Sequence, residues 1–231
     1  MEVQVNEHKT NISVTIKKDN KRYTYSLSKK IYDNLSKDEE LLKSLAEAQF
    51  EILFGNKNYL EKQKILNNIF EFLNKNLFEK AECLNSRHCI NKDTSRVIFG
   101  SITPHNASGW FYTSQSNKTY WILDKIFDTN LSASLELINN GSNDNEEIIK
   151  DIKIELQKIK IGFLDVVQSC IRVKNDASDS AIILYIPISL EYLEKENIAN
   201  VKKYCNSQFV KKNNEANKYK LYIHCISFRK F

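Results

Sequence analysis

Turn formers are scarce in this chain: 231 residues carry 5 Gly and 2 Pro. Most chain reversals must therefore be made by Asn and Asp, which tolerate left-handed backbone. Any segment that gathers Gly and Pro then stands out. Residues 100–121, GSITPHNASGWFYTSQSNKTYW, hold two of the glycines, one proline and five aromatics.

A hydrophobic content of 42% with 11% aromatics is enough for a real core, which excludes a wholly disordered chain. No stretch has the length and apolarity of a membrane span. MEVQVNEHKTN lacks the basic-then-apolar order of a signal peptide, so a cytoplasmic protein is the expectation. Cys83, Cys89, Cys170, Cys205 and Cys225 are irregularly spaced, and Cys83, His88 and Cys89 do not complete a zinc pattern. They read as free thiols, with neither metal nor cofactor expected. The net charge of +5 is concentrated at the C-terminal end, where residues 195–231 hold nine Lys/Arg against two acids. Such a surplus fits either solvated faces or a phosphate-facing surface.

Residues 1–92 read as an N-terminal α+β region. Ile12, Val14 and Ile16 alternate with polar residues, Asp19-Asn20 supplies a turn, and Tyr23, Tyr25 and Leu27 alternate again, which predicts a β-hairpin. Ser36 and Glu39 have capping-box spacing ahead of a helix that Gly55 ends. Tyr59 to Leu77 gives a second amphipathic helix, and 79–95 reads as a polar connector. From residue 93 to 231 strands and helices alternate. RVIFGS is a buried strand, TYWILDKIF a helix, 145–160 a helix, IGFLDVV a buried strand, and AIILYIPI an extended run. Beyond these, SLEYLEKE reads as a helix, VKKYCN as a strand, SQFVKKNN as a helix and KLYIHCISF as a last strand. The alternation predicts a three-layer α/β/α domain with a mostly parallel central sheet.

In such sheets ligands bind at the carboxyl ends of strands. The GSITP loop leaves the first core strand there, with Gly100 allowing close backbone approach and Pro104 stiffening the turn. The pattern is neither GxGxxG nor a P-loop. Phe111 and Tyr112 offer stacking faces or core rings, and Asn117 offers either a base-reading amide or a helix cap.

FGSITPHNASGWFYTSQSNKTYW resembles the first motif of the uracil-DNA glycosylase superfamily, closest to its hypoxanthine-DNA glycosylase and mismatch-type branch. Gly100, Pro104, Phe111-Tyr112, Asn117 and Tyr120-Trp121 follow that motif's order. IGFLDVVQSCIRVKNDASDSAI is similar to a second block of that branch through Asp165, Ser169, Cys170, Arg172 and Asp179-Ser180-Ala181-Ile182. VKKYCNS gives a third match at Asn206. The resemblance spans about 96–228. Asn206 is followed by Ser207 where the family has Gly, and IHCISFRKF stands where the family has a Ser/Pro loop.

The resemblance implies a DNA glycosylase that flips a damaged or modified base and hydrolyses its N-glycosidic bond without metal. It implies Asn117 as the residue that positions water or base, with His105 polarising the leaving base. Asp165 is then a loop-holding residue or a general base. Gly100, Ile102, Thr103, Pro104, Phe111, Tyr112 and Asn206 would form the base pocket, and Lys118, Arg172, Lys202 and Lys203 would meet DNA phosphates. The alternatives are an inert relative that binds nucleic acid, or a protein partner through residues 1–92, and a hydrolase of free nucleosides or nucleotides.

Overall fold

The computed structural model describes residues 2–87, 89–91, 93–102, 109–113, 117–140, 145–176 and 178–189. In chain order these form β1 (Glu2–Glu7), β2 (Asn11–Lys18), β3 (Lys21–Ser28), α1 (Lys29–Asn34), α2 (Glu39–Phe54) and α3 (Tyr59–Phe72). Then come β4 (Phe78–Glu82), β5 (Arg96–Gly100), α4 (Thr119–Phe127), α5 (Leu131–Asn139) and α6 (Asn145–Lys158). β6 (Ile161–Asp165), β7 (Val167–Val173) and β8 (Ile182–Pro187) close the described part. The elements expected after residue 190 lie outside the described residues.

The chain divides into two units. One takes in Met1–Glu82 and Val167–Pro187; the other takes in Cys83–Val166 and resumes at Ile188.

In the first unit, the predicted hairpin is β2–β3, with Lys18 opposite Lys21. Asp19 (φ 51°) and Asn20 (φ 60°) both take left-handed backbone, the requirement of a type I′ turn. β1 adds an antiparallel third strand through Val3 and Val5. α2 is capped by Asp38, whose carboxylate accepts from Leu41 N at 2.9 Å. Ser36, the residue with capping-box spacing, instead lies in a left-handed turn with Lys37. Gly55 ends α2 through close approach, since a Cβ there would meet the Glu51 carbonyl oxygen at 2.4 Å. α3 opens on a true capping box, Asn58 with Glu61. It stops at Phe72, and β4 occupies part of the expected connector.

α2 buries seven of its sixteen residues, among them Leu42, Leu45, Gln49 and Ile52, along one broad face. It packs against β2, β3 and α3, and against β8, the edge of the antiparallel sheet β4-β7-β8. Gln49, fully buried, donates from Nε2 to Tyr185 O at 2.9 Å and accepts from Tyr185 N at 2.8 Å. The Tyr25 hydroxyl donates to Ile183 O on that same strand. Side chains thus satisfy an edge that would otherwise be left buried with open backbone groups.

The second unit holds β5 and β6, paired in parallel, with α4, α5 and α6. All five residues of β6 are buried. The expected mostly parallel central sheet is therefore not the architecture. Among the described residues there are three small sheets, two antiparallel and one of two parallel strands. The physical reason lies in the connections. A parallel pair needs a crossover of a dozen or more residues, which the path from β5 through α4–α6 to β6 supplies. β7 and β8 are joined only by 174–181, so they pair antiparallel. The run IGFLDVVQSC also breaks at Val166, which separates β6 from β7.

Candidate functional site

The register of β5 and β6 sets Gly100 opposite Asp165 at the carboxyl ends of both strands. The ring of Phe163, on β6, is the centre about which the aromatic segment folds. Phe111, Tyr112 and Tyr120 lie 5.9, 4.9 and 5.8 Å from it, centroid to centroid. The Tyr120 hydroxyl, fully buried, donates to Phe111 O at 2.8 Å and ties α4 to that segment. Most of the aromatics of residues 100–121 are therefore core, and Trp121 is the exposed one.

Three of the predicted residues converge. A Cβ on Gly100 would meet the Tyr112 hydroxyl at 2.9 Å and Asp165 Oδ1 at 3.0 Å. Tyr112 has φ 56°, a left-handed backbone that costs a bulky residue about 1–3 kcal/mol, and such strain gathers at functional sites. Replacing Gly100 by Ala should force the tyrosine and carboxylate apart, at a cost of about 1–3 kcal/mol. Thermal unfolding of the variant checks this; an unchanged midpoint would mean that the close approach is not tight.

Asp165 is 4% exposed and fastens a neighbouring turn. Its Oδ2 accepts from Leu84 N at 3.1 Å. Its backbone N–H donates to Asn85 Oδ1 at 2.9 Å, and Asn85 Nδ2 donates to its carbonyl at 3.0 Å. Asn85, 2% exposed, was missed by the sequence reading. A single Asn in an aperiodic polar segment carries no signal that it will mimic a strand partner.

Asn117 Oδ1 accepts from Thr119 N at 2.8 Å, an Asx turn that leads into α4 one residue before its N-cap Lys118, and its amide Nδ2 is left as a donor. Ile102 and Phe111 are buried at 7% and 3% exposure. Lys118 is exposed beside Asn117. Arg172 lies on β7, in the first unit, where its Nε donates to Glu79 Oε1 at 2.7 Å with the side chain 8% exposed. Thr103, Pro104, His105, Lys202, Lys203 and Asn206 lie outside the described residues.

Burial pushes the thiols of Cys89 and Cys170 up to about 12, so both stay protonated and unreactive at neutral pH. Among the described residues, no group of three or more His, Cys, Asp or Glu is arranged to hold a metal ion, and no helix is long and apolar enough to cross a membrane. A cavity of about 150 Å³ lies between Cys89, Lys153 and Ile161, and an open polar cleft of about 740 Å³ between Asp128, Ser134 and Lys158. Neither is lined by a predicted site residue.

Comparison of the chain with family models, with curated proteins and with solved structures finds no match.

Proposed function

We propose that the carboxyl ends of β5 and β6 bind a nucleobase, and that the protein hydrolyses the N-glycosidic bond of a damaged or modified base turned out of DNA. The convergence of Gly100, Tyr112 and Asp165 at that end supports this reading. So does the order of the two sequence blocks, which resembles a glycosylase branch over both strands. The strained Tyr112 backbone is what a stacking or clamping residue at a site would retain.

In this mechanism water adds to C1′ as the bond from C1′ to the base nitrogen breaks. The water oxygen stays on the sugar and its proton passes, through solvent, to the departing base. The Asn117 amide N–H groups orient the water or hold a base carbonyl, and the backbone N–H of Ile102 faces the base edge. Fixed donors of this kind stabilise charge as it develops on the leaving group. Asp165 holds the two strand ends and the turn at Leu84 and Asn85 together, a positioning role. The reading sets the protein in the cytoplasm with DNA as partner.

A second reading, binding without catalysis, draws support from Asn117 and Phe111. The Oδ1 of one is engaged by Thr119 N, and the ring of the other is buried in the core. Residues 1–92 would then serve a protein partner.

The test uses labelled oligonucleotides carrying uracil, hypoxanthine or other modified bases, with alkali to cleave abasic sites. Asn117→Ser keeps an oxygen to accept from Thr119 N and removes the amide, so it separates the two roles. The expected result is strand cleavage by the native protein and a loss of about a hundredfold or more in Asn117→Ser at unchanged thermal stability. A mobility shift without cleavage would favour the binding reading, and base release from free nucleosides alone would favour a nucleosidase.

A further inference from the structure

We infer that the outward face of α4 is a stacking platform for a single nucleic-acid strand, with Trp121 against the bases and Lys118 and Lys125 against the phosphates. The inference rests on the nucleic-acid reading of the adjoining loop. α4 turns Tyr120 and Leu123 into the core. Its other side presents Trp121 at 56% exposure and Ile126 at 65%, with exposed Lys118 and Lys125 flanking the indole. The Lys125 ammonium lies 5.9 Å from the Trp121 ring centre.

The single acid of the helix, Asp124, is turned toward the start of α5. Asp124 accepts from Leu131 N at 2.7 Å, Ser132 N at 2.8 Å and Thr129 Oγ1 at 2.7 Å, so its carboxylate is spent at the start of α5. The platform therefore has two exposed lysines with an indole between them, and exposed Asp128 stands at the C-terminal end of the helix beyond Lys125. That combination fits a polyanion with stackable faces, and not an apolar helix or an acidic peptide lacking rings. A lipid surface fits less well, because an interfacial helix buries its broad apolar side in the bilayer, and here that side is packed in the core. The face begins one residue after Asn117, so a strand lying on it runs past the proposed base site.

The chain has two tryptophans, and Trp110 is fully buried, so quenching by an added ligand reports on Trp121. Titration with an unmodified oligothymidylate should quench tryptophan emission. Trp121→Ala should weaken binding about tenfold. Lys125→Ala should reduce the slope of log K against log salt by about 0.7. Both positions are exposed, and circular dichroism verifies that the variants fold. Binding by Trp121→Ala within about twofold of the native protein would overturn the platform, as would quenching by phosphatidylglycerol vesicles and not by the oligonucleotide. Base release that survives in Trp121→Ala with unchanged KM would reject the platform and keep the glycosylase reading. Quenching that persists where no protein releases base would do the reverse.

Discussion

Replacing Gln49 by Leu should cost about 2–6 kcal/mol of folding free energy, although Leu fills a similar volume and suits a buried helix. The loss comes from the strand, not the helix. Tyr185 N–H and C=O sit on the outer edge of β8 and are both satisfied by the Gln49 amide. Leucine closes the space to water and leaves both groups unmade, each at about 1–3 kcal/mol. Against a total stability of roughly 5–15 kcal/mol this is a large fraction. Urea unfolding should show a lower midpoint with an unchanged slope. A change below about 0.5 kcal/mol would mean that the edge is satisfied in some other way.

Glu79→Leu should be comparably costly, about 3–5 kcal/mol, because it takes a carboxylate from a guanidinium that is nearly inaccessible. The paired substitution Glu79→Leu with Arg172→Met removes both charges from the sheet and should recover most of the loss, since a well-packed apolar pair replaces a buried ion pair at little net cost. With the single variant Arg172→Met they complete a double-mutant cycle whose coupling energy is read by the same unfolding measurement. Additive losses would show that the pair is not coupled. The cycle also bears on the site, because an Arg172 committed to Glu79 inside β4–β7 has its Nε engaged before any phosphate arrives.

The elements readable from sequence were those with unbroken local periodicity. The β2–β3 hairpin announces itself through Ile12 to Leu27 and the Asp19-Asn20 turn. β5, α4 and α6 carry runs of apolar residues in one period. β4 does not, because FEKAE uses its charged residues in contacts that no periodicity reports. Glu79 pairs with Arg172, and Lys80 lies over the Phe70 ring and bonds Asn67. With β4 hidden, nothing in the sequence opposed a parallel sheet. The break at Val166 was equally silent, since β6 and β7 are both buried and their apolar runs merge. At the site, the apolar runs ending in Gly100 and near Asp165 made the two strands legible, and their pairing is a finding of the structure. Which of Phe111 and Tyr112 turns toward the strand ends was not, because adjacent aromatics in a loop have no period to assign a face. The Asn117 side chain turns back on the first amide of α4 from one residue before the N-cap, Lys118, where the sequence suggested the cap itself.

The proposed reaction is cleavage of an N-glycosidic bond at the carboxyl ends of β5 and β6. The most direct measurement is chromatography with mass detection of free base after incubation with single-stranded, double-stranded and free-nucleoside forms of each modified base. Free base is expected from an oligonucleotide, stoichiometric with abasic sites, and is expected to disappear with Asn117→Ser. No free base from any oligonucleotide, with a protein whose unfolding transition is intact, would contradict it.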